Sequence, residues 1–321
     1  MDIRFYDFEF KLLKILPNYT ASQSTVNYDI GYISCNTTTD FNGSGSFEIV
    51  FCDPELMNIV EEYKDNLLIT WGDFQGILTG YQWDDGKNTL FGMHVNSLLS
   101  RRIIPLTDTK LEGNVGKLAY DLIDTYYDFL TPVENTEFTE IKEYTTEAYK
   151  SGDTVVQNIL ALDNAGYKIT ADFVNKQYAF EIIKSKENSI MLSENNLNAY
   201  QFKESYDNKA RVTGGWYKYK PSEETDQVWA YYNSDAEKQG IYKIETTLSS
   251  NSEDKAKSEL AEKLPFTQLT CQTRNIKYGV DYQLGDVVRC QSGSTTRRKQ
   301  ITSVNVWYET ENGEQPILSE V

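Results

Sequence analysis

The sequence has few of the residues that catalytic and metal sites most often need. It contains one histidine, His94, and four cysteines without a Cys-x-x-Cys pair. A histidine-based nucleophilic triad would have to use His94, which lies in an alternating run with no Gly-x-Ser-x-Gly motif nearby. We therefore expect a structural histidine, no enzymatic activity, and neither a metal site nor a cofactor.

Long apolar runs are also missing. No stretch approaches the roughly 20 apolar residues that span a bilayer, and residues 1–7 lack the basic-then-apolar pattern of a secretory signal. We expect a protein made in a cytoplasm, without stable membrane insertion. The four cysteines lie in separate strand-like runs, which favours buried reduced thiols over disulfides: Cys35, Cys52, Cys271 and Cys290.

Positive charge is scarce. The 31 Lys and Arg stand against 48 Asp and Glu, and the formal net charge is -17. This balance disfavours tight binding to nucleic acid or to an anionic membrane, because both need clustered lysine and arginine. Acid is concentrated in residues 112–163, with eleven Asp or Glu and three Lys. A solvated face is the favoured interpretation of this segment, and a functional one is the alternative.

The first hundred residues contain strand and turn patterns. Asp53 is a natural helix N-cap and Pro54 occupies the first helical position, where its missing N–H costs nothing. Strands that follow one another with short turns favour a small antiparallel barrel. The runs that alternate as strands are 3–8, 10–16, 47–52, 74–83 and 89–95.

Helical periodicity begins near residue 108. Asn114 caps an apolar stripe over 115–126, and a second helix over 153–165 is predicted to stop at Gly166. The strand pair that follows completes an α+β unit. Strands return after residue 188, a helix is predicted over 252–264, and a last long strand over 299–309 is predicted to precede a free end.

The predicted fold class is α+β with mainly antiparallel β structure. It consists of two small β-barrel-like domains, an α+β insertion and a C-terminal segment that closes a barrel. The N-terminal barrel covers 1–108 and is completed by 266–321, which is itself a C-terminal β segment. The α+β module covers 109–187, and the second β-rich domain with its C-terminal helix covers 188–265.

Two aromatic runs are the best local indication of ligand binding. They contain Trp216 and Trp229, each among closely spaced tyrosines. Such a platform could stack on sugar rings, which predicts a carbohydrate-binding or receptor-binding module. The favoured alternative is structural, because alternating Trp and Tyr also fill barrel cores and subunit contacts.

Two basic clusters stand out in this acidic chain. A partner contact and a solvated surface are both open interpretations, since guanidinium groups pair with carboxylates bidentately. A third functional class, a glycosidase, needs only two carboxylates at a set separation, which a sequence does not provide. The arginines concerned are Arg101, Arg102, Arg297 and Arg298.

Short motifs lie near both ends of the chain. The N-terminal motifs are Gly45-Ser46-Phe47-Glu48, Gly76-Ile77, and the Ser-Leu-Leu-x-Arg-Arg-Ile-Ile run over 97–104. The C-terminal motifs are Leu284-Gly285-Asp286-Val287-Val288 and Ile301-Thr302-Ser303-Val304. Together with the helix and hairpin over 153–184, these motifs resemble the tail-tip hub proteins of bacterial viruses.

The resemblance implies a non-enzymatic structural protein of a virion tail tip. Its expected form is a homotrimer whose two related β domains alternate into a pseudo-sixfold ring, joining a sixfold tail to a threefold tip around a channel. Expected partners are the distal tail protein, the tape-measure protein and tip or receptor-binding proteins, with DNA only in passage. We expect the acidic 112–163 segment to face either this channel or solvent, so that DNA is repelled.

Overall fold

The computed structural model describes residues 1–18, 31–84, 87–134, 137–207, 212–221, 226–233, 240–261, 266–309 and 312–321. The chain forms two compact units. The first contains Met1–Phe202 and Thr270–Val321, and the second contains Lys203–Leu269.

The N-terminal part of the first unit consists mainly of strands. In chain order its elements are β1 (Ile3–Asp7), β2 (Leu12–Leu16), β3 (Gly31–Asp40), β4 (Ser46–Cys52), α1 (Pro54–Tyr63), β5 (Leu67–Trp71), β6 (Phe74–Asp84), β7 (Lys87–His94), a 3₁₀ helix (Val95–Arg101) and β8 (Ile103–Ile104).

A mixed α and β segment follows. Its elements are β9 (Lys110–Gly113), α2 (Val115–Tyr126), β10 (Leu130–Val133), β11 (Lys142–Thr145), β12 (Lys150–Ser151), α3 (Gly152–Ala161), β13 (Ala165–Asp172) and β14 (Gln177–Lys184).

The remaining elements are again mostly strands. They are β15 (Lys186–Ser193), β16 (Ala199–Asp207), β17 (Gly214–Tyr219), β18 (Val228–Asn233), a 3₁₀ helix (Gly240–Tyr242), β19 (Glu245–Thr247), α4 (Glu253–Ala261), β20 (Phe266–Thr273), β21 (Asp286–Ser292), β22 (Thr295–Tyr308) and β23 (Asn312–Ser319).

One sheet of 13 strands dominates the structure. Its order is β16-β20-β23-β22-β3-β4-β7-β6-β5-β1-β2, and β21 pairs with both β22 and β15. Most pairings are antiparallel, which confirms the predicted α+β class with mainly antiparallel β structure. Among the described strands this path is open at both ends. The boundaries of the four predicted segments stay a prediction.

Two helices begin where local sequence chemistry predicts. The Asp53 carboxylate accepts from the N–H groups of Glu55 and Leu56, at 2.9 and 3.2 Å, and Pro54 starts α1. The Asn114 side chain accepts from the N–H of Lys117 at 2.8 Å and caps α2. Both caps satisfy N–H groups that have no partner within the helix.

The predicted end of the second helix is wrong. Helix α3 ends at Ala161, and Gly166 lies inside β13 rather than just past a helix. A Cβ atom at Gly166 would lie 1.9 Å from the backbone oxygen of Phe41. This glycine therefore permits a close approach between two backbone segments, a role that local sequence does not distinguish from helix capping.

The predicted free end after residue 309 is also wrong. Strand β23 follows and pairs antiparallel with β22, with Pro316 opposite Val304. A proline within a run argues against a strand, because it has no N–H to donate to a ladder. Here β22 also pairs on its other side with β3, so the C-terminal strands extend the N-terminal sheet.

Side-chain amides hold the edge of the three-stranded sheet β10-β14-β13. Asn96 accepts from the N–H of Ile169 at 2.7 Å and donates to the carbonyl of Tyr167 at 3.3 Å. Gln75 accepts from the N–H of Ala171 at 2.6 Å and donates to the carbonyl of the same residue at 3.1 Å. Because these groups replace a neighbouring strand, the β13 edge is closed by the N-terminal sheet and its connections.

His94, the only histidine, lies beside this junction. It is 2% exposed, and its Nδ1 accepts from the N–H of Asn96 at 3.2 Å. Burial and the charge of Lys168 lower the pKa of His94 to about 3, so the imidazole stays neutral at physiological pH. The structure therefore places this side chain in a packed, hydrogen-bonded position.

We predict that Asn96→Ala destabilises the protein by about 2–4 kcal/mol, because it leaves buried backbone groups of β13 without partners. The free energy of unfolding in urea measures this effect. Asn195→Ala is the matched control, since Asn195 is exposed in the turn before β16. Equal unfolding midpoints for the two variants would contradict the structural role of Asn96.

We predict a loss of stability as the pH falls below 6.5, the ordinary pKa of histidine. Between pH 6.5 and about 3, His94 is protonated in the unfolded chain but neutral in the folded protein. The free energy of unfolding therefore falls as the pH falls through this range. The expected slope is about 1.4 kcal/mol per pH unit, measured between pH 6.5 and about 5, where most carboxylates stay ionised. The His94→Asn variant should lack this pH dependence of stability. An unchanged slope in that variant would contradict the prediction.

Candidate functional site

The first pair of predicted contact arginines lies at the end of the 3₁₀ helix Val95–Arg101. The Arg101 guanidinium lies over the ring of Phe8, 5.0 Å from its centroid. Arg102 lies at the same distance over Phe129 and forms an ion pair with Asp128 at 3.2 Å. Both arginines are exposed but held by neighbouring rings, so they are ordered surface cations.

The second pair lies on β22, at the end of a hairpin with β21. Arg297 is opposite Cys290, and Arg298 is opposite Arg289 and forms an ion pair with the exposed Glu187. The next residue, Lys299, is fully buried and pairs with Glu320. The two arginine pairs therefore belong to different elements, and each has its own acidic neighbour.

The aromatic runs of the second unit are divided between the two faces of the sheet β18-β17-β19. On one face Tyr217 is buried against Ala256 and Leu260 of α4. On the opposite face Trp216 and Trp229 are 42% and 52% exposed. The structural interpretation of these runs therefore accounts for Tyr217, whereas ligand binding by Trp216 and Trp229 stays a prediction.

The exposed face is ordered by ring contacts. Trp216 lies opposite Tyr231 in the strand pairing, with ring centroids 4.9 Å apart. A Cβ atom at Gly214 would lie 2.0 Å from the Tyr231 hydroxyl oxygen, so this glycine provides the space for the tyrosine. Burial and the neighbouring Glu245 raise the pKa of Tyr231.

Two lysines cover parts of these rings. The Lys218 ammonium lies 4.9 Å from the centroid of Trp229, and that of Lys243 lies 4.6 Å from the centroid of Tyr231. Lys243 also pairs with Glu245 at 2.6 Å. We call this set of Trp216, Trp229, Tyr231, Lys218, Lys243 and Glu245 the aromatic-lysine face. Its aromatic members were visible in the sequence, but the lysines and the carboxylate were not, because they meet only through strand pairing.

Sequence reasoning missed a concave surface on the large sheet of the first unit. Along β4, Phe47, Ile49 and Phe51 are buried, whereas Ser46 and Glu48 are exposed on the other side. That other side forms a shallow cavity of about 580 Å³. We call it the concave face; its lining is Asn36, Thr37, Thr38, Ser46, Phe47, Glu48, Thr79, Phe91, Gly92, Met93, Asn305, Val306, Trp307 and Gln315.

Two aromatic rings flank the concave face, and each covers a glycine of the neighbouring strand. Phe91 is opposite Gly80, and Trp307 is opposite Gly313. A Cβ atom on either glycine would lie 2.4 or 2.0 Å from the facing ring. These two glycines are the sequence signal for the concave face, but they can be interpreted only once the strand register is known.

The lining of the concave face mixes polar side chains with apolar ones, among them Phe91, Met93 and Trp307; it carries one charged residue, Glu48, and neither lysine nor arginine. Asn305 accepts from the Thr38 hydroxyl at 2.9 Å, which ties β22 to β3 within it. Among the described residues no group of three or more His, Cys, Asp or Glu could hold a metal ion. Within the same part of the chain, no helix is both long and apolar enough to cross a membrane.

Solved structures share this fold. A tail protein from Neisseria meningitidis is 12% identical with a TM-score of 0.58, covering 99% of this chain and 96% of that chain. The 43 kDa tail protein of prophage MuSo2 from Shewanella oneidensis is 11% identical with a TM-score of 0.56, covering 100% and 98%. Prophage tail protein gp18 from Listeria monocytogenes is 14% identical with a TM-score of 0.51, covering 100% and 95%.

No protein-family model and no curated protein sequence matches the chain. At identities of 11–14% the likeness to the three tail proteins concerns the fold. It extends over nearly the whole of this chain and of each of theirs. The resemblance indicated by the sequence motifs is therefore confirmed at that level: this chain has the fold of phage tail proteins.

Proposed function

We propose that this protein is a structural hub of a phage tail tip or baseplate, or of a tail-derived particle. Three copies form a ring that surrounds a channel and joins a sixfold tail to a threefold tip. The observation that carries the proposal is the concave face, because one side of a long sheet forms the core while the other is left open, with a lining that holds neither lysine nor arginine. The fold shared with tail proteins over nearly the full length supports it.

The concave face has the chemistry that a channel wall needs. A passing polyanion would bind to clustered lysine and arginine through counterion release. The lining carries the single carboxylate of Glu48 among hydroxyl, amide and apolar groups and has no cation, so it would not bind DNA tightly. We propose that this face, repeated in three copies, lines the channel.

The acidic segment 112–163 fits the same assembly as a solvated surface. On α2 the buried residues include Leu118, Leu122 and Ile123, while Asp121 and Asp124 are exposed. Apolar residues of this helix thus pack into the first unit and its acids face outward. An exposed acidic surface of this kind keeps copies soluble and repels DNA from wrong sites.

The proposed partners are the distal tail protein, the tape-measure protein and tip or receptor-binding proteins, within the virion tail tip. Arg101, Arg102, Arg297 and Arg298 are exposed and are candidate contacts for acidic partner surfaces. The proposed role is non-enzymatic. The protein's only imidazole, that of His94, is buried and neutral, so the side chain that most often acts as a general base is not placed to do so here.

The first test is the mass of the full chain in solution together with imaging of assembled particles. We expect three copies per ring with the concave face toward the lumen. A ring of any other copy number, or a concave face buried against protein, would contradict the proposal.

The second test makes the wall cationic. In particles with the double variant Ser46→Lys and Glu48→Lys, we expect normal assembly but a several-fold loss of DNA release, because lysines on the wall bind phosphate. Glu62→Lys is the control, since Glu62 is exposed on α1. DNA release equal to that of the control would show that Ser46 and Glu48 do not face passing DNA.

A further inference from the structure

The aromatic-lysine face of the second unit is a surface that a purely structural role leaves unexplained. We propose that it binds an acidic oligosaccharide. This inference does not depend on the hub proposal, since it concerns residues of Lys203–Leu269 alone.

Two half-exposed tryptophans on one small sheet provide the stacking surface. Trp216 and Trp229 lie on the same face, because Trp216 pairs with Tyr231 and Lys218 pairs with Trp229 across β17 and β18. The C–H face of a sugar ring is apolar and packs on such rings, while its rim carries hydroxyl groups. Large exposed aromatic side chains are unusual on a soluble surface and mark binding sites.

The rings are held before any ligand arrives. Tyr231 lies against Trp216 in the space left by Gly214, and Lys218 lies over Trp229. Fixed aromatic side chains lose little conformational entropy on binding, so less of the stacking energy is offset.

The charge of this face selects an acidic ligand. Lys243 is neutralised by Glu245, but within the described part of the chain no carboxylate forms an ion pair with Lys218. Its ammonium group presents hydrogen-bond donors beside the Trp229 ring, where a carboxylate or phosphate on a bound sugar would lie. This charged donor favours an anionic sugar over a neutral one.

The size of the face argues against a protein partner. Strand β17 has six residues, and three strands side by side give a surface of about 20 Å by 14 Å, on the order of 300 Å². A standard protein interface needs about 800 Å² from each partner. The face is thus too small for a stable protein contact by itself but large enough for two or three sugar rings.

The test is binding of the full-length chain to an array of acidic and neutral bacterial surface glycans. We expect binding to acidic glycans, weakened at least tenfold in Trp229→Ala, because this variant removes one of the two exposed rings on which a sugar would pack. Trp229 lies on an edge strand and is half-exposed, so its removal should leave the fold intact. Tyr206→Ala is the matched control, since Tyr206 is an exposed aromatic residue of the same unit.

A second variant tests the selection by charge. Lys218→Gln should weaken binding to acidic glycans several-fold and leave the unfolding midpoint unchanged. Three results would overturn the proposal. The chain could bind no acidic glycan on the array, or the Trp229→Ala and Tyr206→Ala variants could lose binding equally. Alternatively, the Trp229→Ala variant could fail to enter assembled particles while the unchanged chain binds no glycan. The last would identify the face as a protein contact. Ring mass is measured separately, so failure here leaves the hub proposal standing.

Discussion

The insertion of β22 between β3 and β23 is the constraint on which the rest of the first unit depends. It brings the last thirty or so residues of the chain onto a strand near its beginning, with Tyr308 opposite Cys35 and Ser303 opposite Asp40. Side chains reinforce the pairing, since the Ser303 hydroxyl donates to Asp40 at 2.7 Å. Contacts so distant in sequence cost loop entropy and form slowly, so the sheet is complete only when nearly the whole chain is ordered.

The same pairing creates the concave face. Its two flanking rings come from strands far apart in the sequence: Phe91 from β7 and Trp307 from β22. Three strand spacings separate these strands in the order β22-β3-β4-β7, which corresponds to about 14 Å. A surface built in this way belongs to the tertiary fold and not to any one segment.

Local chemistry made part of this fold predictable from sequence. Asp53 with Pro54, and Asn114 before its apolar stripe, identify helix starts because the cap and the orphan N–H groups lie within four residues of each other. The role of Gly166 was not predictable, because the atom that excludes a side chain there belongs to Phe41. Strand β23 was missed for the same reason, since its support comes from β22 and not from its own proline-containing sequence.

The candidate sites, too, could be predicted only in part from the sequence. The aromatic runs of β17 and β18 were evident, but two interpretations, core and binding surface, could not be separated from composition. Strand alternation and the position of α4 separate core residues from exposed ones, because successive residues of a strand point to opposite faces; binding by the exposed ones stays a prediction. Tyr217 therefore packs on α4 while Trp216, its neighbour, is exposed.

This arrangement also places core and exposed residues alternately along one strand. Tyr217 and Leu260 bury apolar surface and hold the second unit together, so changes there act on folding. Trp216 and Trp229 keep about half of their surface exposed, so a change there removes less buried apolar surface than a change in the core. An exposed aromatic face lowers solubility. A small unit can tolerate this when the exposed residues are not also needed for its core.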